Sequence, residues 1–94
     1  MIAVTVRYYN MLRLHPGMES ERVELPEGTE VADAIRMLAE RHGAAFAGML
    51  LSASGEPASH MVVFVNQQLV VAGGPVPPLA DGDEVKLFPA ISGG

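Results

Sequence analysis

Thr29-Glu30-Val31-Ala32-Asp33-Ala34-Ile35-Arg36-Met37-Leu38-Ala39-Glu40-Arg41-His42-Gly43 is the stretch from which the fold follows. Val31, Ala34, Ile35, Leu38 and Ala39 recur at helical spacing, so a helix here carries one continuous apolar stripe. Thr29 is placed to cap it. Glu30 and Asp33 suit the positive end of the helix dipole, and Arg41, His42 and Gly43 supply the stop. A single helix covers only one face of a sheet. The segments on either side must therefore build a sheet with one buried and one open face.

Upstream, Ile2-Ala3-Val4-Thr5-Val6-Arg7-Tyr8-Tyr9 alternates with a period of two. Ile2, Val4, Val6 and Tyr8 share one side, and Thr5, Arg7 and Tyr9 share the other. His15-Pro16-Gly17 marks a turn, after which Glu21 to Leu25 repeats the pattern with Val23 and Leu25 inward. The two runs form a hairpin with a long loop. Pro26-Glu27-Gly28 ends the second strand.

Downstream, Ala44 to Leu51 predicts a short second helix or turn, and Ser52 to His60 a polar loop. Met61 to Val65 is apolar throughout, as in a strand paired on both sides. Asn66-Gln67-Gln68 turns the chain into a short strand, Leu69 to Ala72. Gly73 to Pro78 is a loop, Asp81-Gly82-Asp83 a turn, and Glu84 to Phe88 the last strand. Val85 and Leu87 fall on one face, and Glu84, Lys86 and Phe88 on the other. The order predicts a single α+β domain over residues 1–94, a roll of four to five strands in a mixed sheet. Its first and last strands lie side by side and parallel.

The totals narrow the function. Ninety-four residues suffice for one core and not for two. A net charge of −5 disfavours nucleic acid and anionic membrane as main partners, since both call for a basic surface. With no cysteine there is neither a disulfide framework nor a thiol nucleophile. No apolar run approaches the roughly 20 residues of a membrane span, and no signal pattern opens the chain, so the cytoplasm is expected. His15, His42 and His60 lack metal-ligand spacing and are expected to be solvated or to cap helices. Asp81 and Asp83 read as turn formers rather than metal ligands. Nothing resembles an acid, base and nucleophile set, so no self-contained enzyme is expected.

The sequence ends Phe88-Pro89-Ala90-Ile91-Ser92-Gly93-Gly94. At average glycine usage of about 7%, a closing Gly-Gly pair arises by chance roughly once in 200 chains. Glycines lack side chains that would clash in a narrow slot, and Pro89 disfavours helix. An extended tail rising about 3.3 Å per residue reaches about 20 Å beyond Phe88. Ile91, Ser92 and Gly93 form such a tail, with the carboxylate of Gly94 at its tip. Tyr9 and Phe88 fall together on the open face, joined by Phe64. Aromatic residues grouped on an open sheet mark an interaction surface.

Four stretches in this order resemble the ubiquitin-like β-grasp sulfur carriers of the MoaD/ThiS type, and among them the small subunit of molybdopterin synthase. They are Val4 to Arg13, Val65-Asn66-Gln67-Gln68-Leu69-Val70, Leu79-Ala80-Asp81-Gly82-Asp83-Glu84-Val85, and Phe88 to Gly94. The resemblance implies a β-grasp fold and adds Leu69 to the partner-binding set of Phe88, Tyr9 and Phe64. It also implies that a ubiquitin-activating-type enzyme adenylates the Gly94 carboxylate with ATP. A sulfur donor such as a cysteine desulfurase or rhodanese then leaves a C-terminal thiocarboxylate. In the molybdopterin case the large subunit supplies the catalytic residues, in a heterotetramer, and the carrier binds no permanent cofactor or metal. Sulfur carriage for cysteine synthesis or tRNA thiolation, modification of protein lysines, and an unactivated binding module remain open alternatives.

Overall fold

The computed structural model describes residues 1–9, 12, 19–55, 61–70 and 78–89. Strands β1 (Ile2–Tyr8) and β2 (Ser20–Leu25) precede helices α1 (Val31–His42) and α2 (Ala44–Leu50). Strands β3 (Met61–Val65), β4 (Gln68–Val70) and β5 (Glu84–Pro89) follow. They form a five-stranded sheet ordered β2-β1-β5-β3-β4.

β1 and β5 are parallel, with Thr5 opposite Glu84 and Tyr8 opposite Leu87. The β1–β2, β5–β3 and β3–β4 pairs are antiparallel. The crossover through α1 carries the chain from β2 to β3 across the sheet and leaves the place between β1 and β3 for β5.

The period-two pattern sends Val4, Val6, Tyr8, Val23, Leu25, Val63, Val85 and Leu87 into one core. There they meet the α1 stripe of Val31, Ala34, Ile35, Leu38 and Ala39. Helix α2 adds Phe46 and Leu50, both buried. Gly43 separates the helices at φ +93, in the left-handed region that glycine enters without the Cβ penalty.

Three expectations need correcting in detail. Glu30, not Thr29, is the N-cap of α1, and no side chain caps it. The Thr29 hydroxyl instead donates to the Pro26 carbonyl at 2.7 Å, closing the turn that ends β2. Strand β4 begins at Gln68 because the hairpin turn needs only Asn66 and Gln67, while residues 71 and 72 lie outside the described part. Asn66 takes a left-handed φ of +57, which asparagine tolerates in a tight hairpin turn. Finally, β5 runs on to Pro89, past the last β1–β5 register pair, where a missing N–H is tolerated.

The acidic turn before β5 is a backbone clamp. An Asp81 oxygen accepts the Ala3 N–H at 2.8 Å, and Asp83 accepts the Ala80 N–H at 2.8 Å. The other Asp83 oxygen accepts from the Asn66 side-chain Nδ2 at 3.0 Å, and Asn66 Oδ1 accepts the Glu84 N–H at 3.0 Å. Both aspartates thus hold β5 in register between β1 and β3.

Candidate docking face and carboxyl-terminal tail

Because Val85 and Leu87 point into the core, their neighbours on β5 project from the opposite face of the sheet. Register sets what they meet: Lys86 lies opposite Arg7 on one side and Phe64 on the other, Phe88 opposite Val62, and Phe64 opposite Leu69. Tyr9 continues β1 on this face, its N–H donating to the Leu87 carbonyl at 3.1 Å.

The rings of Tyr9 and Phe88 stack with centroids 4.1 Å apart and planes 13° apart. Phe64 meets Phe88 edge-on at 5.9 Å. The structure therefore brings together Tyr9, Phe88 and Phe64, each half-buried against the others, with Leu69 beside them at 54% exposure. Val62, 36% exposed, extends the patch. The sequence reading did not name Val62, although it shares the face of Phe64 by simple alternation.

A charged border adjoins the patch. Arg7 Nε donates to Glu84 at 2.6 Å, and Lys86 Nζ lies 3.5 Å from the other Glu84 oxygen. The hydrogen bond from Arg7, reinforced by its charge, holds the Glu84 carboxyl below the usual carboxylate range. The same bond raises the Arg7 guanidinium.

Phe88, within the aromatic patch, and Pro89 are the last described residues before the tail. Gly94, Gly93, Ser92 and Ile91 lie outside the described residues, as do His15, His60 and residues 73–77.

On the helix side lies a cluster the sequence reading missed. Glu21 accepts hydrogen bonds from the Tyr8 hydroxyl at 2.5 Å and from Arg41 at 3.3 Å, and His42 Nε2 lies 2.5 Å from the same carboxylate. His42, expected to be solvated or capping, is thus engaged, and its ring packs edge-on against Tyr8 and Phe46. Burial works against the charge of Glu21. The hydrogen bonds from Tyr8 and His42 outweigh it and hold the carboxyl below its ordinary range. Burial, then the bond to Glu21, pushes the Tyr8 hydroxyl far up. The signal was present in the alternation of β2, which puts Glu21 on the same side as Val23 and Leu25. A carboxylate on a core face requires partners.

Among the described residues no group of His, Cys, Asp or Glu is arranged to hold a metal ion. No helix there is long and apolar enough to cross a membrane.

A five-stranded mixed sheet, packed on one face by a helix and open on the other, defines a ubiquitin-like β-grasp domain. The chain belongs to the ThiS family, whose model matches residues 6–94. Solved structures agree. SAMP1 from Haloferax volcanii is 28% identical at a TM-score of 0.81, over 98% of this chain and 99% of that one. A second H. volcanii structure, of small archaeal modifier protein 1, is 25% identical at 0.81, over 97% and 100%. A putative molybdopterin converting factor, subunit 1, from Pyrococcus furiosus is 29% identical at 0.73, over 97% and 100%. Comparison with curated proteins by sequence finds no match.

Proposed function

We propose that this chain is a sulfur carrier that works at its carboxyl end, most specifically as the small subunit of molybdopterin synthase in molybdenum cofactor biosynthesis. Supporting this is one juxtaposition: β5 delivers Phe88 and Pro89 to the edge of an exposed apolar patch and leads directly into Ala90-Ile91-Ser92-Gly93-Gly94. A partner that grips Tyr9, Phe64, Phe88 and Leu69 receives the tail at a fixed point.

An adenylating enzyme spends ATP to join the Gly94 carboxylate to AMP, which turns a poor electrophile into a reactive acyl group. The persulfide of a sulfur donor displaces AMP to give an acyl disulfide, a thiol reduces its S–S bond and leaves as the disulfide, and the resulting thiocarboxylate hands sulfur to the acceptor. The chain supplies reach and docking; its partners supply the acid, base and acceptor site. The Pyrococcus relative supports the molybdopterin assignment.

A second reading, transfer of the activated terminus to protein lysines, is favoured by the similarity to small archaeal modifier protein 1. Affinity isolation from the native cell separates the two. The carrier reading expects a molybdopterin synthase large subunit and an adenylating enzyme to be recovered as non-covalent partners. Recovery of the chain covalently joined to many lysine-bearing proteins establishes the modifier instead. Recovery of neither contradicts both.

A further inference from the structure

Four residues form one row across the open face: Arg7 lies opposite Lys86, Lys86 opposite Phe64, and Phe64 opposite Leu69. Neighbouring strands are about 4.8 Å apart, and Phe88 follows Lys86 by two residues, about 7 Å along the strand. A partner lying across Leu69, Phe64 and Phe88 therefore covers Lys86 as well.

Two cations share one carboxylate in this row. Arg7 Nε holds one Glu84 oxygen at 2.6 Å, while Lys86 Nζ stays 3.5 Å from the other, longer than the usual N–H···O distance of about 2.7–3.2 Å. Among the described residues neither cation has a second carboxylate within ion-pair distance. On β2 the same face adds Arg22, opposite Thr5, and Glu24, opposite Ala3, which offset each other. The described strands thus present an excess of positive charge on this face, although the chain as a whole has eleven acidic residues against six basic ones. Covering a loosely paired ammonium with apolar surface is costly, and Glu84 is already engaged by Arg7. The docking protein must bring an acceptor of its own.

We propose that the protein docking on this face is acidic where it meets β5, and that it sets a carboxylate on the Lys86 ammonium beside the apolar contact with Phe64, Phe88 and Leu69. The inference rests on the docking face proposed above and adds the sign of the partner's charge. Lys86 then selects among partners, because a basic or purely apolar surface leaves its ammonium covered and unmatched. Glu84 opposes the attraction: it partly neutralises both cations and repels the incoming carboxylate.

The test titrates the full chain against the adenylating enzyme of the same cell, without ATP, by calorimetry at low and high salt. Lys86→Gln should raise Kd by roughly tenfold and Lys86→Glu by more. Glu84→Gln should lower Kd, and all three differences should shrink at high salt. Thermal unfolding checks each fold, and Leu69→Ala, run in parallel, reports on the docking face itself. Wild-type affinity in both Lys86 variants, with Leu69→Ala weakened, overturns the charge assignment and leaves the docking face standing. Tighter binding by Lys86→Glu with weaker binding by Glu84→Gln also overturns it, because the partner surface is then basic. Unchanged affinity in the Lys86 and Leu69 variants alike, or no binding by the full chain, sinks the docking face and this inference with it.

Discussion

Leu69→Ala and Phe88→Ala should both weaken partner binding, but only the second should cost the fold appreciably. Leu69 is 54% exposed, so trimming it changes stability within about 0.5 kcal/mol, the range of ordinary surface substitutions. Full burial of a leucine side chain is worth roughly 1.5–3 kcal/mol. The exposed half that a partner covers then contributes about 1 kcal/mol, or roughly a fivefold change in Kd. Phe88 makes ring contacts with Tyr9 and Phe64. Each such pair adds about 0.5–1.5 kcal/mol, so its truncation destabilises the domain by about 1–3 kcal/mol. That leaves a folded protein if total stability is the usual 5–15 kcal/mol or so. As an aromatic anchor at an interface, it should cost about 2 kcal/mol or more in binding, roughly thirtyfold in Kd. Titration calorimetry against the co-purified partner reads the binding, and thermal unfolding reads the fold. Unchanged Kd in both variants, with intact melting curves, refutes the docking face.

Other expectations concern the scaffold. Glu21 is held below the usual carboxylate range in the folded state. Its contribution is therefore present above about pH 4 and lost as the pH falls through the folded value. Glu21→Gln should flatten that acid limb and cost about 1–3 kcal/mol near neutrality, through the weakened bonds to Tyr8, His42 and Arg41. Tyr8 titrates well above its ordinary value. Its contribution is complete below about pH 10 and falls away as the pH rises further, a limb that Tyr8→Phe should remove. Urea titrations across pH check both variants. Gly82 sits at φ +88 with nothing within 4 Å of a built Cβ. Gly82→Ala should therefore lower stability by about 1–2 kcal/mol through backbone strain alone, readable as a shift in urea midpoint.

The parallel β1–β5 pair followed from the order of the elements; periodicity alone made the α1 stripe and the inward faces of β1, β2 and β5 legible, because each depends on local alternation. The open-face aromatics were legible for the same reason. Thr29 misled because a hydroxyl before a helix serves a turn as readily as a cap, and only the Pro26 carbonyl decides which. The Tyr8, Glu21, Arg41 and His42 cluster was hidden because its members come from β1, β2 and the last turn of α1. Sequence spacing says nothing of such a meeting. Neighbouring residues Tyr8 and Tyr9 show the consequence of strand geometry: one is buried in the core and bonded to Glu21, the other stacks on Phe88 in the open-face aromatic patch.

Intact-mass spectrometry of the purified chain, after incubation with ATP, its adenylating enzyme and a sulfur donor, reaches the central claim most directly. The full chain should gain the mass difference between sulfur and oxygen, located at Gly94, while a chain lacking Gly94 stays unchanged and folded. An unaltered mass for the full chain, under conditions where the same enzymes load a known carrier, contradicts the account.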